Sequence, residues 1–282
     1  PTAKTLNSIT ICQNLNSLTI PGTISGATGY LWSTSGSGFF TPSGSVAGTN
    51  AASTYTPSAL DKLSVDPIRL FLITSGNGIC NAVSDQLNLF FQPSPVANAG
   101  PDQVVCVNDF PVQLNASGSP GTWTSSRTGG IFGTTGNATS STLVDTYTPT
   151  TVPGIISMTW TTTATPGCPS VSSSMTVTVL SAPTVNIGPN ITVCGNNRTI
   201  SLGATVTGTT SGNWRTSGTG NFTSTATQIG NGLTDTYTLS NADVLAGSVT
   251  ISFSGIGTSP CTPVVATKTI SITPELTAFA GP

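Results

Sequence analysis

The chain has 282 residues, a net charge of −2 from 7 Lys+Arg and 9 Asp+Glu, and no His. Because so few basic groups cannot neutralise a run of phosphates, nucleic acid and anionic membrane surfaces are excluded as partners. The chain has no His and a single Glu, Glu275, so it lacks the residues that usually form acid–base pairs, zinc sites and Ser/His/Asp triads. The sequence therefore predicts a protein that is not an enzyme and holds no cofactor or metal.

Four landmarks recur three times along the chain in the same order: a Cys, a Trp, a Tyr within Thr-Tyr-Thr, and a second Cys. The first cysteines of successive sets are 94 and 88 residues apart, which is the length of one small domain. The Trp and Tyr residues of each set are predicted core anchors. The three sets are Cys12, Trp32, Tyr55 and Cys80; Cys106, Trp123, Tyr147 and Cys168; and Cys194, Trp214, Tyr237 and Cys261.

These landmarks predict three tandem domains joined by short proline-rich linkers. Such linkers are semi-rigid, so neighbouring domains are expected to stand end to end. The last five residues repeat the Ala-Gly-Pro of the first linker, which predicts the opening of a fourth repeat. The predicted domains are residues 1–94, 95–182 and 183–274, with residues 275–282 as a truncated fourth.

Apolar residues alternate with polar ones along each repeat, as in Val177 and Val179, then Val249, Ile251 and Phe253. Alternation with period two indicates antiparallel strands with one face in the core and one in water. About seven short strands per repeat, with an early Trp, predict an all-β fold: a tandem array of three immunoglobulin-like antiparallel β-sandwich domains. A short helical turn is predicted over residues 240–247, with almost no helix elsewhere.

Two cysteines per repeat predict disulfides, and pairs within repeats would close loops of similar size, each contributing about 3 to 4 kcal/mol in the chain-entropy model. The favoured pairs are Cys12/Cys80, Cys106/Cys168 and Cys194/Cys261; the alternative pairs, Cys80/Cys106 and Cys168/Cys194, would leave Cys12 and Cys261 without partners. In a standard sandwich the two cysteines of one repeat lie at opposite ends. Either the first strand is broken or the topology differs. Oxidised cysteines imply an extracytoplasmic location.

Two other features have a structural and a functional interpretation. The Trp segments could be platforms for sugar stacking, but a Trp at a fixed place in every sandwich repeat is far more often part of the core. Asp145 and Asp235 occupy equivalent places and Ser53 replaces them in the first repeat, so a weak calcium site at a domain junction, with Asp102, is the less favoured interpretation.

The stretch from Ala97 to Cys106, the Trp-x-x-x-Gly-x-Gly-x-Phe segments and the two Thr-Tyr-Thr-Pro motifs resemble repeats of large Bacteroidota cell-surface adhesins. Among these adhesins, the repeats are most similar to those of the type IX secreted, SprB-like gliding-motility adhesins. The resemblance covers all three repeats. It implies export across the outer membrane, long arrays of repeats, and binding or display at the cell surface.

These observations together predict a structural stalk or adhesive repeat segment of a long extracellular adhesin attached to the outer membrane of a gliding bacterium. The expected partners are neighbouring repeats of the same chain and the outer-membrane secretion or motility machinery. The alternative is an array of carbohydrate-binding modules beside an extracellular enzyme. In that case the modules would bind surface polysaccharide. No apolar run approaches the roughly 18 residues of a membrane span, so membrane insertion is not expected.

Overall fold

The computed structural model describes residues 1–150, 153–224, 228–229 and 233–275. Its described residues fold into β-sandwiches with very little helix, as the alternation of apolar residues predicts. They form two compact units. One unit consists of Pro1–Asn98, Ala116–Thr122 and Trp160–Ser173; the other consists of Ala99–Asn115, Trp123–Thr159 and the described residues from Ser174 onward. The three domain boundaries given above stay predictions, and residues 276–282 of the expected fourth repeat lie outside the described residues.

The first repeat contains ten strands and one helical turn. They are β1 (Thr2–Thr5), β2 (Ser8–Cys12), β3 (Leu18–Ile20), β4 (Gly22–Ser25), β5 (Gly29–Thr34), β6 (Phe39–Thr41), β7 (Val46–Ala47), β8 (Ser53–Thr56), α1 (Ala59–Lys62), β9 (Ile68–Ser75) and β10 (Ser84–Gln92). One sheet has the order β2-β10-β9-β5-β7 and the other β3-β8-β6, while β1 pairs with β4. Ile20 and Tyr55 from the smaller sheet pack with Trp32, Leu72 and Leu89 from the larger sheet to form the core.

The second repeat has its own set of strands. They are β11 (Ala97–Asn98), β12 (Gln103–Cys106), β13 (Val112–Asn115), β14 (Ser117–Gly118), β15 (Gly121–Ser125), β16 (Ile131–Phe132), β17 (Thr139–Ser140), β18 (Val144–Thr148), β19 (Gly154–Thr162) and β20 (Ser172–Leu180). The sheet orders are β12-β20-β19-β15-β17 and β13-β18-β16, with β11 on β14. Phe132 and Tyr147 are buried with their ring centroids 5.1 Å apart. The strand order of the first repeat is therefore conserved in the second.

The third repeat follows the same plan with longer strands. They are β21 (Thr184–Asn186), β22 (Ile191–Cys194), β23 (Thr199–Thr207), β24 (Thr209–Thr216), β25 (Asn221–Phe222), β26 (Gln228–Ile229), β27 (Leu233–Thr238), α2 (Asn241–Ala246), β28 (Ser248–Gly257) and β29 (Val264–Thr273). The sheets have the orders β22-β29-β28-β24-β26 and β21-β23-β27-β25. Val249, Ile251 and Phe253 all point into the core, as their alternation predicts.

The helical turn predicted over residues 240–247 is confirmed as α2. Ser240 is its N-cap and accepts a hydrogen bond from the Asp243 amide, while the Asp243 carboxylate accepts one from the Ser240 amide. This reciprocal capping box satisfies two amide donors that a helix start otherwise leaves unpaired. Gly247 ends the helix in the left-handed conformation, which glycine adopts without a steric penalty.

The opening strand of the first repeat is broken, which is one of the two alternatives that the cysteine positions raise. β1 pairs antiparallel with β4, whereas β2 pairs in parallel with the last strand, β10. The same parallel pairing of an early strand with the last one joins β12 to β20 and β22 to β29. Each parallel pair ends at a cysteine, and the candidate functional site lies at these strand ends.

Candidate functional site: disulfides between repeats

The first cysteine of each repeat occupies the same structural position. Cys12, Cys106 and Cys194 are the last residues of β2, β12 and β22. In the parallel pairing they lie opposite the ends of the last strands, at Gln92, Leu180 and Thr273 respectively. Thus all three cysteines lie at the end of the sandwich where the last strand leaves its sheet.

The second cysteine of each repeat also has a fixed position, in the turn before the last strand. The amides of Cys80, Cys168 and Cys261 donate to the carbonyl three residues earlier, at N–O distances of 3.2, 2.9 and 2.8 Å. These turns precede β10, β20 and β29. They therefore lie at the end of the sandwich where the last strand begins.

The structure pairs these cysteines between repeats. Cys12 is bonded to Cys168 with the Cα atoms 4.8 Å apart, and Cys106 is bonded to Cys261 with the Cα atoms 5.0 Å apart. In both cases the first cysteine of one repeat joins the second cysteine of the next repeat. Cys80 and Cys194 are free thiols.

The disulfide pattern corrects the sequence-based expectation in two respects. The intra-repeat pairs Cys12/Cys80, Cys106/Cys168 and Cys194/Cys261 do not form, and neither do the alternative neighbouring pairs. The prediction that Cys80 and Cys194 are oxidised is also wrong, because both are free thiols.

The physical reason is the parallel register of the first and last strands. Cys12 lies beside Gln92 at the far end of β10, whereas Cys80 precedes the near end of the same strand. Since a strand rises about 3.3 Å per residue, the nine residues of β10 separate the two cysteines by roughly 25 Å or more. A disulfide requires Cα atoms about 4.4 to 6.8 Å apart, so an intra-repeat bond is geometrically excluded.

The first junction is closely packed around the Cys12–Cys168 bond. The Sγ of Cys168 lies 3.8 Å from the Gln92 carbonyl oxygen and 3.7 Å from that of Pro93, and the Sγ of Cys12 lies 3.6 Å from the Ser94 hydroxyl. Both cysteines are buried. The junction therefore shields the bond from solvent and from small reductants.

Gly167, the residue before Cys168, is in direct contact with β2. Its φ is +80°, and a Cβ added to it would lie 2.2 Å from the Thr10 carbonyl oxygen and 2.8 Å from the Ile11 Cα. The Thr165–Cys168 turn thus lies against the backbone of β2. At the second junction Cys261 is likewise buried, and its Sγ lies 3.5 Å from the Ser181 carbonyl oxygen.

A buried Tyr–Asp pair, which the sequence motifs described above do not predict, closes the loop after the Trp strand in the first repeat. The Tyr55 hydroxyl donates to Asp61 Oδ2 at 2.7 Å, and the amides of Ser37 and Gly38 donate to the same carboxylate at 2.8 Å each. Burial raises the pKa of Asp61, but the hydrogen bonds from Ser37, Ser58, Tyr55 and Gly38 outweigh it and hold the pKa below its ordinary value.

The same pair recurs in the third repeat. The Tyr237 hydroxyl donates to Asp243 Oδ2 at 2.8 Å, and burial raises the pKa of Tyr237 above its ordinary value. In both repeats the Asp follows the Tyr by six residues and a Ser by three. That Ser-x-x-Asp spacing is a helix-start signal that could have been recognised in the sequence. In the second repeat the Tyr147 hydroxyl donates to Ser125 instead, at 2.7 Å.

The aspartates considered as calcium ligands make hydrogen bonds to the protein itself. Asp145 Oδ1 accepts from the Thr134 and Thr146 amides at 3.0 and 2.7 Å, and Asp235 Oδ1 accepts from the Thr236 amide at 2.7 Å. Asp102 accepts from the Thr176 amide at 2.7 Å. Within the described ranges, no group of three or more His, Cys, Asp or Glu side chains is arranged to hold a metal ion.

The tryptophans are buried, not exposed as a sugar-stacking platform requires. Trp123 and Trp160 are fully buried, and Trp32 and Trp214 are at most 9% exposed. Trp32 donates from Nε1 to the Ala51 carbonyl at 2.7 Å. The three landmark tyrosines, Tyr55, Tyr147 and Tyr237, are buried as well.

Comparison with solved structures identifies the fold. The I-band fragment I67–I69 from titin aligns over 96% of this chain and 98% of that fragment, with 12% sequence identity and a TM-score of 0.54. An E-to-A variant of the same three-Ig fragment gives the same values. The three sandwiches are therefore immunoglobulin-like domains in tandem, as the sequence predicts.

No protein-family model and no curated protein matches the chain. In the part of the chain that the structure describes, no helix has the length and apolar character needed to cross a membrane. The likeness to titin at this identity shows the fold alone, so the function is argued from the site.

Proposed function

We propose that this chain is a structural repeat segment of a long extracellular surface adhesin, in which disulfides between consecutive repeats limit extension under force. The adhesin is located at the cell surface and belongs to the type IX secreted, gliding-motility class, as the sequence resemblance implies. Its partners are neighbouring repeats and the outer-membrane machinery that exports or moves the adhesin.

The observation that carries this proposal is the pair of overlapping inter-repeat disulfides. The bonds join residues 156 and 155 positions apart along the chain, and each connects a repeat to the next one. Neither bond closes a loop within a single sandwich. They support a mechanical function because they change the route by which tension passes from one terminus to the other.

The covalent route for tension is short. Force applied at the N-terminus passes along residues 1–12, crosses to Cys168, returns along the chain to Cys106, crosses to Cys261 and leaves through residues 261–282. Residues 13–105 and 169–260 connect the same two bonds in parallel with residues 106–168, and both segments are longer. While both bonds are intact, most of the first and third repeats can therefore be extended no further than the length of residues 106–168 allows.

The surroundings of the bonds support an extracellular location. Disulfides persist in oxidising compartments and are reduced in the cytosol. All four bonded cysteines are buried, which protects the bonds from small thiols. The low content of charged residues suits a spacer that carries its distal end away from the cell surface.

Single-molecule force spectroscopy on the full chain, pulled from its two termini, tests the function. With about 3.5 Å per extended residue, the oxidised chain has an unfolded contour of about 330 Å from about 95 residues, and the fully reduced chain about 980 Å. Reduction should therefore increase the final extension roughly threefold.

The matched control is Cys80→Ser, which alters a cysteine at the equivalent turn position but removes neither bond. Its extension should equal that of the unaltered oxidised chain. If the oxidised and reduced chains extend equally, the bonds do not carry the force and the spacer function is wrong.

A further inference from the structure

Both disulfides follow one rule: the first cysteine of a repeat bonds to the second cysteine of the repeat after it. Applied to the two free thiols, the rule has a definite consequence. Cys80 is the second cysteine of the first repeat, and Cys194 is the first cysteine of the third repeat. Each is therefore the complementary half of a bond of the same type.

The backbone around Cys194 reproduces that around its bonded counterparts. The residue after each first cysteine donates its amide to the carbonyl opposite: Gln13 to Gln92, Val107 to Leu180 and Gly195 to Thr273, at 2.9, 3.0 and 2.9 Å.

The turn that follows each first cysteine is also the same. The carbonyls of Cys12, Cys106 and Cys194 accept the amide three residues later at 3.0, 2.9 and 2.9 Å. The backbone at Cys194 is thus held as it is at the two cysteines that form disulfides, and the Cys194 side chain is half-buried.

The Cys80 turn supplies a second, independent observation. Ile79, directly before Cys80, is fully exposed although it is a large apolar residue. Its counterpart in the second repeat is Gly167, which lies against Thr10 and Ile11 of the preceding repeat. Ile79 therefore lies, exposed, at the turn position that contacts the neighbouring repeat in the first junction.

We propose that the Cys194 end and the Cys80 turn are two complementary docking surfaces, each of which accepts another repeat of this type and forms a disulfide with it. Cys194 bonds to the cysteine at the Cys80 position of the partner repeat, and Cys80 bonds to the cysteine at the Cys194 position. A second copy of this chain carries both surfaces. Because the contact is heterologous, successive copies join head to tail.

The bond forms by thiol–disulfide exchange with a small-molecule disulfide. One thiolate attacks oxidised glutathione and releases one glutathione; the second thiolate attacks this mixed disulfide and releases the other. Two protein thiols and one glutathione disulfide thus give one protein disulfide and two glutathione thiols. Docking selects which two protein thiols react.

Joining between copies is inferred from the two observed bonds and so rests on the proposed spacer function. The joining proposal and the spacer function can nevertheless fail independently. Loss of head-to-tail joining would leave the extension of the single chain unchanged. Equal extension of oxidised and reduced chains would leave joining between copies unchanged.

Two single variants, Cys80→Ser and Cys194→Ser, allow a decisive test. Each retains one docking surface, and both keep Cys12–Cys168 and Cys106–Cys261. Equal amounts are mixed in a glutathione redox buffer and separated on a non-reducing gel. A heterodimer that stops at two chains is expected, at least about tenfold in excess of either homodimer, since about 1.4 kcal/mol of docking free energy gives that factor.

The unaltered chain should form a ladder of linear oligomers under the same conditions, and peptide mass spectrometry should find Cys80 linked to Cys194. The double variant Cys80→Ser/Cys194→Ser should stay monomeric, and far-UV circular dichroism checks that all variants fold. Homodimers in amounts equal to the heterodimer, or a failure of the mixed variants to join, would overturn the proposal.

Discussion

Gly167 lies at the point where the Cys168 turn contacts β2 in the first junction. Its positive φ and its contact with the β2 backbone leave no room for a side chain. Since the nearest atoms belong to the Thr10–Ile11 main chain, they cannot move aside as a flexible side chain could. The bond between Cys12 and Cys168 therefore depends on a residue that is itself neither a cysteine nor part of a core.

Gly167→Ala should lower the free energy of unfolding by more than the backbone strain at a positive φ accounts for. Gly44 has the same φ of +80° with nothing within 4 Å of an added Cβ, so Gly44→Ala is the matched control. Both variants lose about 1 to 2 kcal/mol from the left-handed conformation, and Gly167→Ala should lose roughly 1 to 3 kcal/mol more through overpacking. Denaturant unfolding under non-reducing conditions measures both, and equal losses would contradict the packing at Gly167.

The cysteines show which parts of the site could be predicted from the sequence. Their spacing identified the three repeats, and period-two alternation identified the strands, because both are local properties of the chain. The partner of Cys12 depends on whether β2 lies parallel or antiparallel to β10. An antiparallel β2 would place Cys12 near Cys80. Alternation is the same for both orientations, so the pairing followed only from the three-dimensional structure.

At the scale of single elements, the turns around β18 depend on a buried carboxylate. Burial raises the pKa of Asp145, but hydrogen bonds from the hydroxyls of Ser140 and Thr134 and the amides of Thr146 and Thr134 hold it at about 2. Its ordinary value in an unfolded chain is 3.8. A lowered pKa in the folded state means that ionised Asp145 stabilises the fold above about pH 4.

The stability of the second repeat should therefore fall as the pH is lowered from about 4 to about 2, because protonation removes the charge that the hydrogen bonds favour. Asp61 and Asp243 act in the same direction. Asp145→Asn should reduce this fall while lowering stability at neutral pH; the exposed Asp66→Asn is the control. Free energies of unfolding across the pH range decide the matter. An unchanged pH profile for Asp145→Asn would show that Asp145 makes no such contribution.

At the scale of the whole molecule, the two disulfides produce overlapping covalent loops. The segment from Cys106 to Cys168 belongs to both loops, so the second repeat is covalently tied to the first and to the third. A set of three intra-repeat bonds would have made three independently stabilised domains. With the observed inter-repeat bonds, the stability and the maximum extension depend on the whole series of repeats and not on single domains.

Cys261→Ser and Cys80→Ser provide the matched test at this scale, because the two cysteines occupy the same turn in different repeats. Cys261→Ser opens a loop of 155 residues and should lower the free energy of unfolding by about 5 kcal/mol in the chain-entropy model, or less where the overlapping bond still restrains the chain. Cys80→Ser should leave the free energy of unfolding unchanged.

Thiol titration of the denatured, unreduced monomers should find 2 free thiols in the unaltered chain, one fewer in Cys80→Ser and one more in Cys261→Ser. A count of zero in the unaltered monomer would mean that Cys80 and Cys194 are bonded within the chain, contrary to the structure.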